Sequence, residues 1–377
     1  MSSYGVLVTN NHAVPASWDV GAQAERLRFS TLLPGGGSTA SWILRRPLSP
    51  IPNFLGFNYD VKITARGKVL WRGRMEDFIA HRSVAGTYWS VTAYGYGVNL
   101  DDRLYTTQNV QNTQTSQIVA DAITNLTEDI AATSITATGF TIANNTAVNL
   151  TLLKAAQVVN WAKDFGDATN QQQIWYVYPD DDGTVRFTFK PRPATPDLYA
   201  VSDDFEVIEF GVVSRSLANR VVVQYNAGAS FVTVDDTTLQ GSGPGGWNLV
   251  RTLFIVKPEI TQAVDATQVG NALLALVSKA RLSATSIRLK PSAALVNGNG
   301  QRVRLDEVRA GMLVRLTDVD PAEGALTNLS YNNSFLIAGT DYDEDTASLN
   351  ITPERQDEKS ERALARAIAF AEGRRQP

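Results

Sequence analysis

Apolar and polar residues alternate with a period of two through much of the first hundred positions. The runs are Arg26-Leu27-Arg28-Phe29-Ser30, Tyr59 to Ala65, Lys68 to Arg72 and Tyr88 to Tyr94. Successive side chains of a strand point to opposite faces, so these runs predict strands with one face in a core and one outward. Arg66-Gly67-Lys68 lies between two of them and predicts a hairpin turn. Residues 1–104 therefore read as an N-terminal antiparallel β-barrel or sandwich.

The period then changes. Thr115 or Ser116 is placed to cap a helix from Gln117 to Asn125, with Ile118, Val119, Ala122, Ile123 and Leu126 on one face. A second helix is predicted from Leu152 to Asp164, with Gly166 as its stop. Ile174 to Tyr178, the turn Pro179-Asp180-Asp181-Asp182-Gly183 and Val185 to Phe189 predict a hairpin. Residues 105–196 thus read as a small α+β insert, ending in Lys190-Pro191-Arg192-Pro193-Ala194-Thr195-Pro196, whose three prolines suit a linker.

Strand patterning returns at Glu206 to Val213 and Asn219 to Tyr225, and Gly241 to Gly246 reads as a loop tip. One long amphipathic helix is predicted from Gln268 to Leu282, capped by Asp265 or Thr267. Further strands are predicted at Ser286 to Lys290, Met312 to Leu316, Asn333 to Ala338 and Ala347 to Ile351, making 197–352 a second β-barrel domain. The charged tail 353–377 carries Ala363, Leu364, Ala367, Ile368 and Ala371 at helical spacing, a pattern suited to docking on a neighbour. The fold class expected is mainly β with an α+β insert: two tube-like antiparallel barrels, a small α+β domain and a C-terminal helix.

Composition narrows the function classes. The 377 residues carry 19% charged side chains, below the roughly 25% average, with Thr, Ser, Asn, Ala and Gly in their place. Weakly charged, polar surfaces suit protein–protein contact. The net charge of -4 speaks against a general nucleic-acid binder. The absence of cysteine excludes disulfides, thiolate metal sites and cysteine nucleophiles. Neither a signal peptide nor an apolar run long enough to span a membrane is expected.

Candidate chemistry has a simpler explanation at each position. His12 and His81 are the two histidines, expected in surface loops and without a Gly-x-Ser-x-Gly elbow. The glycine-rich stretches at 35–37 and 241–246 lack the Gly-Lys-Ser/Thr end of a phosphate loop and read as loop tips. Asp180-Asp181-Asp182 suits a turn. Asp341, Asp343 and Asp345 also suit a turn, and they are the first choice if any metal binds. Trp42, Trp71, Trp89, Trp161, Trp175 and Trp247 suit core or interface packing, with sugar platforms as the alternative. No catalytic, cofactor-binding or metal-ligating residue is assigned, no cofactor is expected, and the chain is read as not an enzyme.

One longer arrangement is more specific. The strand Trp89 to Tyr94 runs into Gly95-Tyr96-Gly97-Val98-Asn99-Leu100-Asp101-Asp102-Arg103-Leu104-Tyr105, then a polar stretch and the helix bearing Ser116 to Ile123. This resembles phage tail hub proteins, in which a barrel strand ends in an aromatic and Leu-Asp-x-Arg segment before a short helix. Leu217 to Val223, re-entering a β region after the insert, and Arg309 to Leu316 are similar to the same family, and the likeness spans about residues 5–352. It implies a virion protein of the tail tip or baseplate, assembled in the host cytoplasm. It also implies a homotrimer whose two barrels per copy match a six-fold tail tube to a three-fold central fibre or spike. The implied partners are further copies of the chain, tail tube protein, distal tail protein and the fibre, with DNA only in transit through the lumen. No lysozyme or peptidase domain is expected beyond residue 352. The alternatives are a receptor- or carbohydrate-binding tail adhesin and a glycosidase working through an Asp/Glu pair.

Overall fold

The computed structural model describes residues 4–46, 50–84, 86–106, 110–124, 130–143, 150, 153–211, 217–243, 246–278, 281–317, 330–331 and 333–354. In chain order the first strands are β1 (Gly5–Thr9), β2 (Ser17–Asp19), β3 (Ala24–Leu32), β4 (Gly35–Leu44), β5 (Asp60–Ala65), β6 (Lys68–Ser83) and β7 (Gly86–Gly95). Helices α1 (Asn99–Asp102) and α2 (Thr115–Ile123), strand β8 (Ala132–Ile135), helix α3 (Ala155–Lys163) and the pair β9 (Gln173–Pro179) and β10 (Val185–Pro191) follow. Next come β11 (Leu198–Val201), β12 (Phe205–Gly211), β13 (Arg220–Tyr225), β14 (Ser230–Asp235), α4 (Thr237–Gln240), β15 (Thr252–Val256) and α5 (Ala263–Val277). The chain returns to strand in β16 (Arg281–Leu289), β17 (Val296–Asn297), β18 (Leu313–Thr317), β19 (Ser330–Tyr331), β20 (Ser334–Asp343) and β21 (Ser348–Pro353). The protein is mainly β, with helices concentrated between residues 99 and 277.

The alternating runs do form strands. Between β5 and β6 the turn residues Arg66 and Gly67 both take positive φ, as a tight two-residue hairpin turn requires. Hydrogen-bonded neighbours run β2–β1–β5–β6–β7–β4–β3–β20–β21–β16–β12, every pair antiparallel. The β3–β20 ladder sets Thr31 against Thr340 and Phe29 against Tyr342, so the first and last β segments share one continuous sheet. β4 also pairs in parallel with β9 at Gly35 and Gly36, joining the β9–β10 hairpin to that sheet. A separate three-stranded sheet has the order β14–β13–β15.

Buried apolar side chains form two groups whose borders differ from the expected segments. One draws on residues 4–93 and 198–351 together with Ile174, and includes Trp42, Trp71 and Leu289. The other draws on residues 96–277, and joins α2, α3 and the inner face of the β9–β10 hairpin to Val221, Val223, Ile255 and Val269. Residues 218–277 therefore pack with the helical insert rather than with the later strands.

The helices differ from expectation at their ends. α2 starts at Thr115 with Gln114 before it, because Thr115 is buried and its hydroxyl meets that of Thr138 at 2.6 Å rather than capping. α3 starts at Ala155, later than the expected Leu152, and Gly166 at φ +68 stops the chain beyond it as its conformational freedom suggests. α5 starts at Ala263 and ends at Val277, so neither Asp265 nor Thr267 caps it, and Leu282 lies in β16. Asp265 sits in its first turn, buried, accepting the Ala143 N–H at 3.0 Å. A carboxylate there also opposes the positive end of the helix dipole. The side chain that reads as a cap is a tether to the insert. Pro353 belongs to β21, and Glu354 donates its N–H to Leu336. The expected helix in 353–377 otherwise lies outside the described residues.

Candidate functional site

The place where the three parts of the chain meet is built from glycines. Gly35 and Gly36 take φ of +133 and +98, and a Cβ at Gly36 would stand 2.1 Å from the Val177 carbonyl oxygen. A Cβ at Gly95 would stand 2.0 Å from the Gly37 oxygen, and one at Gly97 2.2 Å from the Gly35 oxygen. Backbones of β4, of the end of β7 and of β9 cross here with no room for side chains. The 35–37 stretch expected as a loop tip is therefore a strand start, and its glycines serve close backbone approach.

Beside this crossing lies a polar groove. Arg309 is half-buried and donates from Nη1 to the Pro179 carbonyl at 3.0 Å and from Nη2 to the Val69 carbonyl at 3.2 Å. Its guanidinium lies 5.2 Å from the Tyr178 ring centroid, and Tyr178 donates its hydroxyl to the Ala310 carbonyl at 2.8 Å. Burial lowers the Arg309 pKa below its usual value and raises that of Tyr178. One cation thus holds the β5–β6 hairpin, the β9–β10 hairpin and the 307–312 segment together. The cavity against it has a volume of about 470 Å³ and is lined by Lys68, Asp180, Asp181, Glu307 and Met312 among others. Lys68 reaches Glu307 at 3.4 Å, and Arg186 reaches Asp180 at 2.7 Å, so charge in the groove is largely matched. Its residue types make a joint between segments.

A second polar cluster is buried except at Arg304. Tyr4 donates to Asp306 Oδ2 at 2.7 Å, and Tyr342 lies with its hydroxyl 2.9 Å from that of Tyr4. Arg304 binds the same carboxylate through Nε at 2.8 Å and Nη2 at 2.5 Å. Burial, then these hydrogen bonds, pushes the Tyr4 pKa well above the usual tyrosine range.

The residues singled out from sequence fall apart in space. Among the described residues no group of three His, Asp or Glu side chains could hold a metal. Asp343 Oδ1 accepts the Asp345 N–H at 2.9 Å while its other oxygen meets Arg28 at 2.6 Å, so the acidic stretch is a turn joined to β3. Asp341 lies on the strand, its pKa raised by burial. Asp182 accepts the Thr184 N–H, which lowers its pKa and closes the β9–β10 turn. His81 lies in β6, stacked on Tyr88 with centroids 4.6 Å apart, and not in a loop. His12 meets Tyr59 edge-on. Trp42, Trp71, Trp89, Trp161 and Trp175 are buried, which removes Trp42 as a sugar platform, whereas Trp247 is half-buried. Sequence reasoning missed Arg309, Tyr178, Tyr4 and Asp306 as joints. The Arg304-x-Asp306 spacing was the one local trace of them.

Neither a protein-family profile nor a curated relative matches the sequence. Solved structures do. A tail protein from Neisseria meningitidis superposes with TM-score 0.60 at 11% identity, covering 93% of this chain and 96% of that one. The chain shares its fold with phage tail proteins. A 43 kDa tail protein of prophage MuSo2 from Shewanella oneidensis gives TM-score 0.58 at 13% identity over 93% of this chain and 99% of the other. The E. coli c3393 protein, a type VI secretion component structurally similar to the T4 tail proteins gp27 and gp5, gives 0.50 at 10% identity. It is matched over 92% of this chain and 76% of its own. The tail-protein fold thus extends through both β segments and the insert between them.

Proposed function

We propose that this chain is a structural protein of a phage tail, acting as a tail-tip or baseplate hub rather than as an enzyme. The observation that carries the reading is the shared fold across nearly the full length of both tail proteins and of this chain. In this proposal three copies form a ring that adapts a six-fold tube to a three-fold central fibre or spike. The ring contacts tail tube and distal tail proteins and leaves a lumen for DNA. It belongs to the virion tail tip and is assembled in the host cytoplasm. The internal joints fit such a role, because a ring element under load is served by a subunit whose parts are tied together by buried polar contacts. The groove around Arg309 supports this reading over a catalytic one: its charged groups are mostly spent on one another and on backbone carbonyls.

Light scattering of the purified chain over a concentration series, with electron microscopy of the same sample, tests this. A three-fold ring is expected. A strictly monomeric species at high concentration, together with absence of the protein from isolated tails, removes the reading.

A further inference from the structure

We propose that a second copy of this chain pairs with the small sheet, the outer edge of β14 in one copy joining the outer edge of β15 in the next. This rests on the ring proposed above and names where its subunits join.

The edges of the two sheets are treated differently. The antiparallel run of the large sheet ends in β2, only three residues long, and in β12, and its other single-partner strands β8, β17 and β19 have four residues or fewer. β12 is interrupted by two register shifts and carries Glu206 and Glu209 outward. Short strands, bulges and charges are the devices that stop an edge from recruiting another strand. The small sheet has no register break and little charge. β14 and β15 both run in unbroken register with β13. β15 reads Thr252-Leu253-Phe254-Ile255-Val256 and carries no charge, while the one charge of β14, Asp235, is bound to Arg220 at 2.6 Å. Among the described residues no strand pairs with either outer edge.

The two edges also suit each other. β14 is antiparallel to β13 and β15 is parallel to it, so β14 and β15 run in opposite directions. Copies related by rotation about an axis along the strands therefore bring β14 against β15 as an antiparallel pair, the slightly more stable ladder. Head-to-tail pairing of this kind uses both edges of every copy and gives a ring when three rotations close, whereas a two-fold β14–β14 contact leaves β15 open.

The exposed face agrees. α5 covers one side of the sheet so closely that a Cβ on Gly270 would lie 2.7 Å from Val234 Cγ2. On the opposite side Phe231 is 71% exposed and Phe254 51%; Phe254, Val222 and Thr233 lie in register across the sheet, and Phe231 follows two residues from Thr233, opposite Gln224. Leu249 and Val250, just before β15, are exposed as well. A sheet continued into the next copy sets Phe254 of one beside the β14 residues of the other and removes that apolar surface from water.

The cysteine-free sequence makes the test direct. Thr233→Cys with Phe254→Cys, and separately Phe231→Cys with Phe254→Cys to cover a register shift, are oxidised and read on non-reducing gels beside light scattering. Covalent oligomers ending at a closed trimer are expected from a double variant, and none from the single variants. A Ser17→Cys, Glu209→Cys pair on the large sheet's edges is expected to stay uncross-linked. Phe254→Asp is expected to weaken self-association at least about tenfold without lowering the melting temperature. Trimers by light scattering with no cross-link from either double variant overturn this contact and leave the ring standing. Dimers from Thr233→Cys alone, or cross-linking of the Ser17/Glu209 pair, place the contact elsewhere and also overturn it. Monomers throughout overturn both the contact and the ring.

Discussion

Tyr4 and Asp306 stand 302 positions apart and meet in a 2.7 Å hydrogen bond inside the core. The bond ties the entry to β1 to the turn that precedes β18, and Tyr342 and Arg304 complete the cluster. Tyr4→Phe keeps the ring packing against Phe29 but takes a donor from a buried carboxylate. We expect a loss of about 1.5–3 kcal/mol, the usual range for a hydrogen bond to a charged group. Urea denaturation measures it. A change within a few tenths of a kcal/mol would show that Arg304 alone satisfies Asp306.

Alkaline pH should weaken the fold through the buried tyrosines. The pKa values of Tyr4, Tyr178 and Tyr342 are all raised, by burial first in each case. A folded-state pKa above the unfolded value of about 10 means that the unfolded chain releases its proton first. The stabilisation is complete below pH of about 10 and is lost as pH rises above it. Denaturation midpoints should be level between about pH 8 and 9.5 and fall beyond 10, and Tyr178→Phe should flatten that fall. A midpoint that rises above pH 10 reverses the sign and rejects the account.

Two glycines with positive φ separate strain from crowding. Gly67 at φ +78 has nothing within 4 Å of an added Cβ, so Gly67→Ala should cost about 1–2 kcal/mol. Gly36→Ala adds a collision with the Val177 backbone to the same kind of strain and should cost about 3 kcal/mol or more, to the point of misfolding. Comparable losses in the two variants, read from melting curves or soluble yield, would mean that the crossing has room to open.

Arg309 supports its neighbours by shape as well as charge. Arg309→Met leaves the Pro179 and Val69 carbonyls without their donors and should cost about 2–3 kcal/mol. Arg309→Lys should recover only part, because an ammonium lacks the planar fork that reaches two carbonyls from beside the Tyr178 ring. Amide hydrogen exchange should quicken in the β9–β10 hairpin more than in the small sheet. Equal protection in wild type and Arg309→Met would remove the joint.

The first-segment strands were legible because a half-buried antiparallel strand writes its two faces into the sequence as alternation. β3, β5, β6 and β7 follow the runs around Phe29, Ile63, Val69 and Val91. The β9–β10 hairpin announced itself through its Asp-Gly turn, and Gly166 through the need for a residue that tolerates positive φ. β4 was not legible at its start: the pattern that makes Gly35 to Gly37 a loop also suits a backbone crossing, and only the positions of Val177 and Gly95 distinguish them.

Helix starts were misjudged where a polar residue serves tertiary structure. Thr115 and Asp265 look like caps, yet each spends its side chain on a distant partner, Thr138 and Ala143. Local sequence thus determined the element types, the mainly β class and the insertion of helices between two β segments, because those depend on periodicity and turn chemistry over a few residues. Tertiary structure decided which segments share a core, that residues 218–277 pack with the insert, and that Tyr4, Asp306 and Arg309 are joints. Those outcomes depend on contacts between positions up to hundreds of residues apart, whose energy comes from burial and has no counterpart in local pattern.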